Sequence, residues 1–204
     1  MTQAVLHAVI DPLCGWSYGA APLLKSAKKH LDITVKLYGS GLFVDESKRK
    51  IAPYRADSAE QNYKEIANNE PMTLDSVVPI KAMMAIKQLK HNDLELLLAM
   101  QIAHFEQGQC AAEPQVLFTL VEKMGFSKII FSEAYYAITL EQVHRHIQQA
   151  RMRLRALGGQ GLPAMGLGFQ DKQVKPLKHE EFYGRESEWI HYLQYKLESL
   201  ITTS

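Results

Sequence analysis

The sequence predicts an α/β protein in which strands and helices at both ends of the chain flank a block made only of helices. Three patterns indicate this. The chain up to about residue 40 reads strand, helix, strand, and roughly 100 residues of helical periodicity follow. The last part of the chain then reads strand, strand, helix. We expect the first strand pair to be parallel and the second to be a hairpin.

The N-terminal segment carries the βαβ pattern. An apolar run at Ala4–Ile10 predicts a buried strand, and Ile33–Tyr38 alternates apolar and polar residues as a second strand does. Between them the sequence predicts one helix over Gly15–Lys29, with a kink at Pro22 because proline lacks the backbone donor. Gly39–Gly41 ends the second strand.

Start signals mark several helices in the central block. Asp93 is a candidate cap, Pro114 suits a first helical position, and Thr139 with Gln142 forms a capping-box pattern. The predicted helices cover Asp57–Asn68, Val77–Leu89, and the stretches that begin near Asp93, Pro114 and Thr139.

The C-terminal segment returns to strand patterns. Pro163–Phe169 is apolar, Gln170–Lys172 is typical of a turn, and Gln173–Leu177 fits a hairpin partner. A last helix carries Trp189 and an apolar stripe that continues to Leu200.

Composition bounds the class of protein. The chain has 204 residues, 47% of them hydrophobic and 22% charged, with a net charge of +1, as expected for a globular protein of one domain with an insertion. No basic block suggests nucleic acid or a membrane surface as a partner. The sequence lacks a signal-peptide pattern, so we expect a cytoplasmic protein with reduced thiols.

Cys14 lies where the first strand gives way to the first helix. Backbone N–H groups at a helix start favour a thiolate, so the position predicts a reactive nucleophile with a lowered pKa. The alternative is an inert buried cysteine. Cys110, in a turn of the helical block, is more typical of a cysteine outside the site.

Ser17 stands where a Cys-x-x-Cys site would carry its second thiol. A serine hydroxyl cannot form a disulfide, but it can donate a hydrogen bond to the Cys14 thiolate. The other interpretations are that Ser17 only caps the helix, that it marks a lost activity, or that it is an introduced trapping substitution. The chain has no cysteine pair and no His-x-x-x-His, so we expect no metal site.

Four segments resemble the DsbA family, and most closely its cytoplasmic, FrnE-like branch. Asp11–Gly19 resembles the DPxCxWCxG active-site segment, with Ser17 in place of its second cysteine. Gly39–Phe43 resembles the Gly-Gly-Leu turn, His104–Gly108 the phenylalanine-x-x-glycine segment, and Gly159–Pro163 the GxxGxP segment.

The resemblance implies a thioredoxin fold (βαβ…ββα) with an all-helical DsbA-type insertion. Residues 1–55 and 156–204 would form the thioredoxin-like domain, and residues 56–155 the insertion. It also implies that Pro163 is cis and faces Cys14, and that Leu162 offers its main chain to a substrate. Trp16 and Tyr18 either form an apolar substrate rim or pack on the insertion.

The function expected from these features is that of a thiol–disulfide oxidoreductase or isomerase with Cys14 as its one nucleophile. An outside thiol must then resolve the mixed disulfide, and glutathione is the obvious co-substrate. No bound cofactor is expected. One alternative is an enzyme similar to kappa-class glutathione transferases and 2-hydroxychromene-2-carboxylate isomerases, which carry serine at the Cys14 position. The other is a non-catalytic module that binds extended peptides.

Overall fold

The computed structural model describes residues 3–51, 72–169 and 172–202 and confirms the α/β class. Its main sheet has four strands, in the spatial order β2-β1-β5-β6. These strands are β1 (Ala4–Ile10), β2 (Ile33–Gly39), β5 (Ala164–Phe169) and β6 (Lys172–Leu177). A separate small sheet pairs β3 (Arg49–Ile51) with β4 (Met72–Leu74), a pairing that the sequence patterns did not predict.

The central strand β1 carries the core. Every one of its residues is buried, which explains why its sequence is continuously apolar apart from one histidine. It pairs in parallel with β2, with Leu6 opposite Val35, and antiparallel with β5, with Leu6 opposite Leu167. The predicted parallel βαβ unit is therefore confirmed.

The prediction of one helix over Gly15–Lys29 is wrong. The structure divides it at Ala20 into α1 (Gly15–Gly19) and α2 (Ala21–His30). Pro22 lies in the first turn of α2, where a missing N–H costs nothing, so the proline begins a new helix instead of kinking an old one. The active-site helix is consequently only five residues long.

The central block forms five helices in the described residues, packed around one continuous core. The expected cap at Asp93 is wrong, because Asn92 lies one residue earlier and its side chain accepts the N–H of Leu94. The Thr139–Gln142 capping box is confirmed. The helices are α3 (Val77–Gln88), α4 (Asp93–Phe105), α5 (Pro114–Lys123), α6 (Lys128–Ala137) and α7 (Leu140–Ala156).

In the central block, one helix was missed and one predicted helix cannot be compared with the structure. Helix α6 was not predicted, although Ser127 caps it through a hydrogen bond from Ile130. The predicted helix at Asp57–Asn68 lies outside the described residues. The division into residues 1–55, 56–155 and 156–204 stays a prediction, since the first boundary also falls there.

The C-terminal segment closes the sheet. β5 and β6 pair antiparallel, as the hairpin prediction requires, although residues 170 and 171 of its turn are outside the described part. Helix α8 (Glu186–Thr202) then packs on α2, where the buried Trp189 donates its indole N–H to the carbonyl of Leu23 at 3.1 Å. None of the described helices is long and apolar enough to span a bilayer.

Buried His104 on α4 predicts a loss of stability in mild acid. Burial lowers its pKa to about 4, offset in part by a hydrogen bond that the ring donates to the backbone carbonyl of Gln109. The group binds its proton more weakly in the folded chain than in the unfolded one. The contribution of neutral His104 to the free energy of unfolding is therefore complete above pH ~6.5. As the pH falls towards 4, about 3 kcal/mol of this contribution is lost.

The measurement is the free energy of unfolding against pH for the wild type and His104→Leu. His146 and His179 also have pKa values lowered by burial, so the difference between the two proteins isolates His104. We expect a shallower loss between pH 6.5 and 4 in the variant. An identical pH dependence in both proteins would contradict the assignment.

Candidate active site

Cys14 is held at the entrance of α1 by backbone hydrogen bonds. It is the residue before the first helical one, with extended backbone angles (φ −91°, ψ 123°). Its N–H donates to the carbonyl of Asp11 at 3.1 Å, and its carbonyl accepts the N–H of Tyr18 at 3.0 Å. The residue is 7% exposed, and it lines a cleft.

The pKa of the Cys14 thiol corrects one expectation. A lowered pKa was predicted from the helix start, but burial raises the pKa of this thiol and outweighs the hydrogen bonds that favour its thiolate. Those bonds come from the backbone of Ser17, the hydroxyl of Ser17 and the backbone of Trp16. A helix of five residues aligns few peptide dipoles, which leaves desolvation as the larger effect.

Ser17 is fully buried beside Cys14, and its hydroxyl oxygen has a backbone partner. Its oxygen accepts the N–H of Asp11 at 3.1 Å, and its proton is left to donate to the sulfur of Cys14. Because Ser17 lies inside α1 and not at its cap position, the interpretation of Ser17 as only a helix cap is wrong.

Asp11 ties the cysteine loop to the loop after β2. Its fully buried carboxylate accepts the N–H of Leu13 at 2.9 Å and that of Leu42 at 2.7 Å. Burial raises the pKa of Asp11, against these hydrogen bonds and the nearby charge of Arg151. Asp11 was predicted only as part of the motif around Cys14, since its partner Leu42 lies 31 residues away.

Cys14 opens into a cleft of about 1170 Å³ that the expected proline segment also lines. The Leu162–Pro163 peptide bond is cis, as the resemblance implied. Leu162 and Pro163 line this cleft together with Cys14 and Trp16. The main chain just before β5 and the thiol of Cys14 therefore line one shared cleft.

The two aromatic residues beside Cys14 have different surroundings. Trp16 is 51% exposed and lines the cleft, as the rim interpretation expects. Tyr18 does not line it: the ring stacks on Phe105 at 4.9 Å between centroids, and the hydroxyl donates to Glu106 at 2.7 Å. Tyr18 therefore packs against the helical block, as the alternative interpretation described, and its role in substrate binding stays a prediction.

Three cleft residues were not among the predicted site residues. His179 is buried and its Nε2 lies 3.1 Å from the carbonyl oxygen of Pro163, so it donates there as the Nε2–H tautomer. Tyr183 stacks on His179, and burial raises the pKa of its phenol, with the charges of Glu180 and Cys14 adding to the rise. Arg151, from α7, is the third.

Cys110 takes no part in this cleft. It is buried in the core, burial raises its pKa, and its sulfur lies 3.9 Å from the carbonyl oxygen of Thr73, to which it donates. Both cysteines carry unpaired thiols. Within residues 3–51, 72–169 and 172–202, no group of three His, Cys, Asp or Glu side chains is arranged to hold a metal ion.

The raised pKa predicts how Cys14 reacts with iodoacetamide as the pH changes. In a Cys110→Ser background, we expect the alkylation rate to rise with an apparent pKa above that of an ordinary cysteine. Adding Ser17→Ala removes the hydroxyl donor and should raise the pKa further. An apparent pKa below that of ordinary cysteine, or one unchanged by Ser17→Ala, would contradict this description of the site.

Comparisons with known proteins place the fold. No protein-family model matches the chain, and no curated protein matches it by sequence. Among solved structures it is similar to the cytosolic disulfide reductase DsbM from Pseudomonas aeruginosa, at 26% identity and a TM-score of 0.82, covering 95% of this chain and 98% of that one. The same protein with GSH gives 25% identity and a TM-score of 0.78, covering 95% and 99%.

A more distant structure shares the fold alone. The oxidoreductase DsbA from Xylella fastidiosa matches at 12% identity and a TM-score of 0.55, covering 96% of this chain and 88% of that one. These matches and the observed sheet order confirm the thioredoxin fold with a helical insertion of the DsbA type.

Proposed function

We propose that this chain of DsbA-type thioredoxin fold is a thiol–disulfide oxidoreductase with Cys14 as its one nucleophile and glutathione as the resolving thiol. One observation carries the proposal. The only thiol that lines the cleft is Cys14, and its neighbour at the resolving position is a buried serine whose hydroxyl favours the Cys14 thiolate.

The proposed reaction has two exchange steps. The Cys14 thiolate attacks the glutathione sulfur of a glutathionylated substrate, forms a Cys14–glutathione disulfide and releases the substrate thiolate, which takes up a proton. A second glutathione thiolate then attacks the glutathione sulfur of that mixed disulfide. The products are oxidised glutathione and the Cys14 thiolate, so the substrate is reduced and glutathione is oxidised.

The surroundings of Cys14 suit both steps. Burial limits the thiolate population at neutral pH, but the intrinsic nucleophilicity of a thiolate rises with its pKa. In the second step Cys14 is the leaving group, and the hydroxyl of Ser17 can donate to the developing charge on its sulfur. Ser17 would therefore lower the barrier to resolution without being a nucleophile.

The edge at Leu162–Pro163 supplies a docking surface. Leu162 lines the cleft with Cys14, so its main chain can pair with an extended substrate or with the backbone of glutathione. His179 holds the carbonyl of Pro163 by a hydrogen bond, which fixes this edge. Trp16 would cover the apolar part of the bound group.

Two similarities support the choice of co-substrate and compartment. The similar structure from Pseudomonas aeruginosa is described as a cytosolic disulfide reductase, and one of its structures is described as containing GSH. We extend both properties to this chain, as a cytoplasmic protein that uses glutathione and acts on protein or small-molecule disulfides. Isomerisation of disulfides would use the same first step.

The test is the reduction of a glutathionylated peptide by excess glutathione with catalytic amounts of protein. We expect multiple turnovers in the wild type and equal turnover in Cys110→Ser, because Cys110 is buried outside the cleft. Loss of turnover in Cys110→Ser would make that residue the resolving thiol. An absence of turnover in both proteins would reject the glutathione-linked reaction.

A further inference from the structure

We infer that Arg151 on α7 is the anchor for a carboxylate of glutathione in the Cys14 cleft. The inference rests on the proposed function and adds to it a binding residue that lies outside the motif segments. Arg151 lines the same cleft as Cys14 and Leu162, yet it comes from the helical block.

The guanidinium of Arg151 is fixed in place by two carbonyl oxygens. Its Nε–H donates to the carbonyl of Ser40 at 3.0 Å, and Nη2 donates to that of Gly41 at 2.7 Å. A guanidinium has five N–H donors in one plane, so donors remain for a ligand after these two bonds. The entropy of ordering this long side chain is already lost before a ligand binds.

The loop that holds Arg151 is also the loop that positions Cys14. Asp11 accepts the N–H of Leu42 at 2.7 Å, next to the two carbonyls that Arg151 binds. Gly41 has a positive φ of 67°, and an added Cβ would lie 2.9 Å from Cδ1 of Ile147 on α7. This close approach of loop and helix ties the cation and the thiol to one rigid frame.

Of the cations that line the cleft, Arg151 is the one with no salt bridge among the described residues, although Glu180 also lines the cleft and the charge of Arg151 acts on Asp11. The other cationic residue that lines it, Lys178, has its ammonium 3.7 Å from the carboxylate of Glu181. Burial lowers the pKa of His179, which keeps its ring neutral near pH 7. Within the described part of the chain, no carboxylate lies at ion-pair distance from Arg151, whose hydrogen-bond partners are the two carbonyls.

Glutathione has the chemistry that this arrangement selects. It is a net anion near neutral pH, its sulfur lies on the central residue, and each end carries a carboxylate. With that sulfur at Cys14 and its backbone along Leu162, one end extends along the cleft wall, where Arg151 offers planar paired donors for a carboxylate. A disulfide without carboxylates makes no such contact, so removal of the guanidinium of Arg151 would not weaken its binding.

The experiment compares two disulfides reacting with reduced protein under single-turnover conditions. Cys14 attacks oxidised glutathione to form the mixed disulfide and release one glutathione thiolate, and it attacks bis(2-hydroxyethyl) disulfide in the same way. We expect Arg151→Gln to slow the first reaction about tenfold more than the second, because any loosening of the loop that Arg151 holds affects both disulfides alike. Arg151→Lys should restore part of the first rate.

Arg155→Gln is the matched control, because Arg155 is exposed on the same helix and does not line the cleft. It should leave both rates unchanged. The inference is overturned if Arg151→Gln reacts with oxidised glutathione as fast as the wild type, or if it slows both disulfides equally. A wild type that reacts with neither disulfide would instead reject the proposed function, so the two failures are distinguishable.

Discussion

Replacing Cys14 by serine is expected to lower the turnover of a glutathionylated peptide by about 1000-fold or more, to the level without protein. Both proposed steps form or break a bond at the sulfur of Cys14, and a hydroxyl cannot replace it in either. The measurement is glutathione-dependent release of the peptide thiol by equal amounts of wild type and Cys14→Ser.

The controls separate lost chemistry from lost structure. Serine differs from cysteine at Cys14 by one atom, so the free energy of unfolding should change little, and Cys110→Ser provides a second cysteine-to-serine change outside the cleft. Undiminished activity of Cys14→Ser on an electrophilic or isomerisable substrate would favour the transferase or isomerase alternative. Peptide binding that ignores the redox state of Cys14, without turnover, would favour the binding module.

Ser17→Cys is expected to convert the single-cysteine site into a dithiol site. Residues three apart at the start of a helix have Cβ atoms about 5–6 Å apart, close enough for a disulfide after small adjustments. The new thiol would attack the Cys14 mixed disulfide from an effective concentration far above that of free glutathione. We expect the mixed disulfide to stop accumulating and its decay to become independent of glutathione.

The measurement is the decay of the Cys14–glutathione adduct at several glutathione concentrations, in wild type, Ser17→Ala and Ser17→Cys. The first two proteins should show decay proportional to glutathione, with Ser17→Ala slower because it lacks the donor to the Cys14 sulfur. Glutathione-independent decay in the wild type would mean that another group of this chain resolves the adduct. Decay of Ser17→Cys that stays proportional to glutathione would show that position 17 cannot reach the sulfur.

Local patterns in the sequence predicted most of the fold. The buried strand Ala4–Ile10, the alternating strand after it and the Thr139 capping box depend on neighbours within a few residues, so periodicity and caps were enough. The break at Ala20 was not predicted, because Pro22 fits both a kinked helix and the first turn of a new one. Helix α6 was missed although Ser127 caps it.

Only those parts of the site that lie within one short segment of the sequence could be predicted. The segment around Cys14 and the segment at Pro163 are short motifs, but Arg151 meets the loop after β2 across 111 residues and His179 meets Pro163 across 16. No pattern in one sequence reports such contacts. The pKa of Cys14 was predicted with the wrong sign because burial depends on the whole cleft, whereas the helix start is visible locally.

Single-cysteine catalysis can be tested by mass analysis of the protein, quenched with acid during turnover of a glutathionylated peptide. We expect one glutathione on the chain, mapped to the peptide that contains Cys14. Added glutathione should remove it, and it should be absent from Cys14→Ser. A disulfide between Cys14 and Cys110, or turnover with no adduct on Cys14, would contradict single-cysteine catalysis resolved by glutathione.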